Sequence, residues 1–491
     1  MTDAGLLAAP EGKTLEFKQD LSSPRNLLRT LAAFANTAGG RVIIGVKDKT
    51  REVLGIDQPL DEEERLCSLI ADSISPRLVP SVEMITVDGK TLLVIEVFLS
   101  SSRPHYLRSE GSENGVYVRL GSTNRKADRE LVAELRRSAE GVSFDETPLP
   151  GLTLEALDTE ALKKAFEGIR PIDEQNLLTL RLAVREQGRI VPSRGGMLLF
   201  GRNRTEHFPD CWAQCGRFLG LDKARIFDHI ELEEPLPELV DSILLFLKKH
   251  AMRGADFSDI RRRDVWSIPL EPLREAVINA LVHADWSQRG GPVRVAFFDD
   301  RIEIENPGIL PPGMTVEDMR RGVSKIRNPV IARVFRELRL IEQWGSGVPR
   351  IFRETAAAGF PEPYITELGL RLRFVFPLKE TVRIQDGTKP EQKAQVETKS
   401  RLESRLESRL ESRLESRLAS RIILLLRDNA AGKAELARLL GHATVSGELH
   451  KQIRRLLGLD WIEMTIPDKP KSRMQKYRLT EKGKAALEEE K

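Results

Sequence analysis

Apolar residues recur at helical spacing in "NLLRTLAAFANTAGG". There Leu27, Leu28, Leu31, Ala32 and Ala35 share one stripe, and Gly39-Gly40 ends it. The runs "RVIIGV" and "TLLVIEVFL" are short and rich in branched residues, which predicts buried strands, and "GVYVRLG" alternates as a third. These elements predict a compact α/β unit within residues 1–140. A connecting region over 141–265 reads as a strand near "GMLLFG", another near "CWAQCGRFLG", and the amphipathic helix "LPELVDSILLFLKKH". A second α/β unit spans 266–380. It has a helix over 271–284, strands "PVRVAFFDD" and "RIEIEN", a Pro/Gly-rich stretch and further helix.

Residues 381–420 read as a linker. Within it, RLES occurs four times and RLAS follows, so Leu402, Leu406, Leu410, Leu414 and Leu418 repeat every four residues. At 3.6 residues per turn such a row drifts by about 40° per repeat, which suits no long left-handed coiled coil. Like charges also fall four apart, which disfavours an isolated helix. The segment is either a spacer or a short self-association element through which the chain forms a homo-oligomer. At 491 residues the chain is too long for one core, and the pattern predicts a multidomain α/β and α+β protein. The net charge of +3 implies no partner by itself. Three cysteines give no disulfide framework, and neither a signal peptide nor a membrane span is visible, so a cytoplasmic, membrane-free protein is expected.

The distribution of charge says more than its sum. Residues 419–484 hold fourteen Lys/Arg against seven Asp/Glu. Over 421–491 the order is three helices, then two strands around the basic tip "KPKSRM", and this predicts a winged helix. The third helix carries His450, Lys451, Arg454 and Arg455. The wing carries Lys469, Lys471, Arg473, Lys476 and Arg478. In such a module the third helix enters the major groove and the wing grips phosphates. The segment resembles bacterial winged-helix regulators, which implies DNA binding; a winged helix used for protein contacts alone is the alternative.

Residues 11–135 carry Glu16-Phe17-Lys18, Asn36-Thr37-Ala38-Gly39-Gly40, Gly45-Val46 and Arg119-x-Gly121-Ser122. This set resembles the Schlafen-type, AlbA-like domain of bacterial proteins. The resemblance implies nucleic-acid binding, with Lys18, Arg119 and Arg125 among the basic candidates beside Lys47, Lys49 and Lys126. In cleaving members three carboxylates act together, and Glu11, Glu16 and Asp48 fall at matching places. Converging carboxylates could hold Mg²⁺ or Mn²⁺ for cutting RNA or DNA. Lys47 beside Asp48 departs from that pattern.

The helix "PLREAVINALVHADW" places Glu275 and Asn279 four apart on one face, with His283 one turn further. "IEIENPGILPPG" and "NPVIARVFRELRLIEQWGSGVPRI" follow. The ordered set resembles a divergent GHKL-type ATPase, an α/β sandwich often labelled helicase-like. The resemblance implies that Glu275 is the general base and that Asn279 holds Mg²⁺ on ATP. It places Asn306 and Gly308 at the adenine box, and Gly345 and Gly347 in a Gly-rich turn near the phosphates. Asn stands where the box has Asp, and its last Gly is missing. No GxxxxGK[ST] occurs, so the usual P-loop is absent. His207, Cys211 and Cys215 are spaced by four without a fourth zinc ligand nearby, and a buried thiol pair is the expectation. Three functions are carried forward: a DNA-binding, ATP-binding transcriptional regulator, a metal-dependent nuclease, and a non-enzymatic nucleic-acid scaffold.

Overall fold

The computed structural model describes residues 7, 9–48, 50–256, 263–341, 347–382, 417–427, 430–440, 447–468 and 475–488. The chain forms two compact units, Met1–Ile384 and Gln385–Lys491. The mixed α/β, multidomain character expected from the pattern holds. Among the described residues, no helix is long and apolar enough to cross a membrane.

The first unit opens with β1 (Leu15–Lys18), α1 (Pro24–Asn36) and β2 (Gly40–Ile44), a parallel pair with α1 as its crossover. The hairpin of β3 (Ser81–Val87) and β4 (Lys90–Val97) completes a sheet of order β1-β2-β4-β3. Leu27, Leu31 and Phe34 of α1 pack on Val42, Ile44, Leu93 and Ile95. Beside it stand the hairpin β5 (Tyr117–Leu120) and β6 (Thr123–Lys126), then α2 (Arg129–Glu140). Asn36 at the end of α1 ties these parts together. Its side chain accepts from His105 N (2.6 Å) and donates to His105 O (2.8 Å) and Tyr117 O (2.9 Å).

"GMLLFG" is not a strand. It lies in α3 (Arg194–Phe200), which Ser193 caps by accepting from Gly196 N at 2.9 Å. A short, uniformly apolar run has no period to read, so only the cap distinguishes the two states. The main sheet has six strands: β7 (Ala213–Phe218), β8 (Ile226–Leu232), β9 (Val293–Phe297), β10 (Arg301–Pro307), β11 (Tyr364–Leu368) and β12 (Arg371–Pro377). Their order is β8-β7-β9-β10-β12-β11, and only β7 and β9 run parallel. Strands from 141–265 and from 266–380 therefore share one sheet and one core. Helices α4 (Leu236–His250) and α5 (Leu270–His283) form the crossover between β7 and β9. Helix α5 lies between α4 and α7 (Gly347–Ala357) and packs on β10. Helix α6 spans Pro329–Glu337.

The second unit holds α8 (Arg417–Leu425), α9 (Lys433–Leu439), α10 (Gly447–Gly458), the hairpin of β13 (Ile462–Met464) and β14 (Tyr477–Leu479), and α11 (Glu481–Glu488). Ile422, Leu436, Leu449, Ile453, Leu456 and Tyr477 are among its core residues. The RLES repeat up to residue 416 lies outside the described residues.

Arg119 corrects the expectation of a surface cation. It is 1% exposed on a strand buried along its whole length. Its guanidinium donates to Glu16, to Asn124 Oδ1 (3.0 Å) and to Gly12 O (3.1 Å), and it lies 5.3 Å from the Phe34 ring centroid. A buried ion pair is costly to break from one side, because the remaining charge stays desolvated. Arg119→Met is expected to cost about 3–5 kcal/mol in urea unfolding, and adding Glu16→Gln should recover part of that loss. Additive losses in the double variant would show that the pair is not coupled.

Candidate functional site

Helix α5 is apolar almost all round, so the core holds it on several sides: Leu273, Ala276, Val277, Ala280 and Leu281 are all buried. Its remaining stripe carries Glu275, Asn279 and His283. The C-terminal end of α5 would leave carbonyls unpaired. Asn328, fully buried, donates to Val282 O (2.8 Å) and Ala284 O (2.7 Å) and closes that end. Neighbouring residues of the "RNP" triplet act too. Pro329 starts α6, and Asp145 Oδ2 accepts from Val330 N (2.8 Å) and Ile331 N (3.0 Å) in its first turn. The sequence showed "NPVIARVF" plainly but not these roles, which depend on partners far away in the chain.

The stripe faces a cleft whose empty space, open solvent included, is about 1140 Å³. Glu275, Asn279 and His283 line it from α5, Asn306 and Gly308 from the end of β10, and Gly347 from the start of α7. Gly345 lies outside the described residues. Gly308 has φ +104°, and a Cβ there would meet Asp285 Cβ at 2.8 Å, so both the conformation and the close approach require glycine. A Cβ on Gly347 would fall 2.2 Å from Glu275 Oε1. Ile309, Leu310, Met314 and Leu372 supply apolar wall.

Polar groups in the cleft are already arranged. Asn279 Nδ2 donates to Glu275 Oε1 (2.9 Å) and Glu275 O (2.7 Å), so its Oδ1 is the atom left to accept or to ligate. Asn306 Nδ2 donates to Pro307 O (3.1 Å), which likewise leaves Oδ1 as the acceptor. Glu275 is buried, and its second oxygen accepts from Arg350 of α7. Lys325 and Arg336 also line the cleft. These three cations were missed, because nothing in the spacing of 325, 336 and 350 links them to residue 275.

The N-terminal carboxylates do not converge. Glu16 is committed to Lys18 Nζ (2.5 Å) and Arg119, and Glu11 Oε1 accepts from Phe17 N (2.8 Å). Asp48 stands exposed in the turn beyond β2. Among the described residues, no three His, Cys, Asp or Glu side chains are placed to hold one metal ion. Buried Arg119 and half-buried Lys18 already neutralise the carboxylate that a nuclease centre would need. Lys18 is thus occupied, whereas Arg125 is exposed on β6. Cys211 and Cys215 are buried, and burial pushes both thiols up to about 12. His207 is exposed.

In the second unit, α10 buries Leu449, Ile453 and Leu456 and exposes His450, Lys451, Arg454 and Arg455. Lys476 is exposed at the start of β14, while Lys469, Lys471 and Arg473 lie outside the described residues.

His283 is no phosphate cation. Burial, reinforced by the Arg327 guanidinium, pushes it down to about 4 from an ordinary 6.5, so it is neutral near pH 7. Its neutral form contributes stability that is present above pH 6.5 and is lost as the pH falls toward 4. NMR titration of the His283 ring should show no protonation near neutrality. A ring titrating near its ordinary value would sink this assignment.

Residues 11–128 match the family model "Schlafen, AlbA_2". Residues 290–376 match the model described as "Putative ATP-dependent DNA helicase recG C-terminal". That match starts after α5, so Glu275 and Asn279 join the site through geometry rather than through the matched segment. Residues 420–480 match "Filamentation induced by cAMP protein Fic-like, C-terminal domain". Among solved structures, the DIP2311 protein of Corynebacterium diphtheriae aligns over 99% of this chain and 98% of its own, at 21% identity and a TM-score of 0.41. The N-terminal domain of a RecG-related protein of Nitrosomonas europaea aligns over 25% of this chain and 91% of its own, at 27% identity and a TM-score of 0.21. The chain thus carries a Schlafen, AlbA_2 domain followed by a domain of the recG C-terminal, HATPase-like type.

Proposed function

We propose that the cleft binds ATP and that the chain is a nucleotide-dependent DNA-binding regulator. One observation carries the nucleotide reading. Six residues named for ATP from the sequence, drawn from α5, β10 and α7, line a single cleft alongside three cations. Asn306 Oδ1 is the acceptor for an adenine amine. Lys325, Arg336 and Arg350 are the partners for phosphate. Asn279 Oδ1 is the hard oxygen donor suited to Mg²⁺, which when bound neutralises phosphate charge.

Glu275 can serve as a base only if Arg350 releases it. A triphosphate competes for Arg350 directly, so ligand binding and release of the base are one event in this reading. With Glu275→Gln, ATP affinity should equal or exceed that of the natural chain, while turnover falls by about 10²–10⁴-fold. Calorimetry and phosphate release measure the two effects. A natural chain that does not bind ATP would remove the reading altogether.

DNA binding is assigned to the exposed basic face of α10, with Lys476 of the hairpin beside it, in a winged-helix arrangement. The opposite face of α10 is committed to the core, so the basic one is free for a partner. Each of Arg454→Ala and Arg455→Ala should reduce the slope of log affinity against log salt by about 0.9 on duplex DNA. Unchanged slopes in both would shift the reading toward a protein-contact role.

A further inference from the structure

A groove that no motif marks lies between α2 and the turn at 286–290. Two adjoining cavities of about 810 and 490 Å³ share Phe144, Arg194, Ser287 and Arg289, and the larger one adds Arg129 and Arg137. Four guanidiniums therefore meet in one place. Arg137 and Arg194 both lie over the Phe144 ring, 5.2 and 4.6 Å from its centroid.

Negative charge is short there. Glu130 lines the groove. Glu134 pairs with Arg137 at 2.9 Å but is shared with Arg327 at 3.0 Å. Asp210 accepts from Gly290 N at 3.0 Å. Among the described residues, no carboxylate pairs with Arg129, Arg194 or Arg289. The Nε atoms of Arg137 and Arg194, and Nε2 of Gln288, are buried without an acceptor. Buried donors normally find a partner, and leaving one unmade costs about 1–3 kcal/mol. Cationic forks without acceptors call for an anion with several oxygens.

We infer that this groove takes the phosphate backbone of a nucleic acid. The inference rests on the reading that the chain binds DNA, and adds a second contact surface in a different unit from α10. Three observations favour a polymer over a single phosphate. The two cavities adjoin through shared lining residues and hold four guanidiniums instead of one. Arg125 and Lys126, exposed on β6, stand only a few residues before Arg129 in the chain. Phe144 and Trp286 are buried, so the groove offers cations and amides but no exposed Phe, Tyr or Trp ring for base stacking, and His207 is the exposed ring at the smaller cavity. It would grip the strand without reading its sequence.

The test uses the full chain and labelled duplex DNA in a salt titration. Arg129 and Arg289 are both exposed, so Arg129→Gln and Arg289→Gln leave the fold intact. Each should lower the salt slope by about 0.9, and the pair by about twice that, adding to the effect of Arg454→Ala. If Arg454→Ala weakens binding and the Arg129→Gln, Arg289→Gln pair does not, the groove is no DNA site while the DNA reading stands. If the natural chain binds no DNA, both fall. Inorganic phosphate provides the other arm. A thermal shift with phosphate that the pair of substitutions abolishes, with DNA affinity unchanged, would make the groove a small-anion site and overturn the backbone assignment.

Discussion

The first unit depends on one guanidinium. Arg327 is buried, and it donates to Ile309 O in the wall of the cleft and to Glu134 Oε1 of α2 at 3.0 Å, with Asp285 Oδ2 at 3.5 Å. A cation so placed cannot leave for water without stranding its partners, so it fixes α2 to the loop after β10. Ile309 repeats the connection in apolar form. It lines the cleft and also packs with Val116, Val118 and Leu135 of the N-terminal domain. A third tie runs through Glu367, which accepts from Lys13 Nζ at 2.7 Å and from Leu310 N at 3.2 Å. The cleft wall is thus part of the junction between the two domains.

That junction explains what was legible in the sequence. The stripe of α1 has a period that one window reveals, the runs of β2 and β4 are marked by their branched apolar residues, and all three stand where the pattern placed them. Glu275 and Asn279 share a helix face because four residues is a helical step, but they were singled out, as Asn306 and Gly308 were, through the resemblance to GHKL-type ATPases. Arg350, Asn328 and Arg327 were not, since their roles lie in partners tens of residues away.

Arg119 shows the opposite error. Its neighbours "GVYVRLG" alternate, which suggests that the polar position faces solvent. Yet β5 is buried on both sides, so the arginine had to be paired instead of exposed. Charge alone does not decide exposure; the number of layers around a strand does. The arginine groove escaped for a related reason. Arg129, Arg194 and Arg289 belong to separate segments, so no one local window brings them together.

The pairing of β7 with β9 has a consequence for how the molecule is made. Ala213 meets Val293 in parallel register, with all of α4 and α5 between them. Such a contact closes a long loop, which slows the search for the native state. During synthesis β7 emerges with β8 as its only ladder partner, and one of its edges stays open until β9 leaves the ribosome. An open edge of that kind is where nascent chains associate wrongly. The strand that follows the helix carrying Glu275 is therefore also the segment whose late pairing closes that edge.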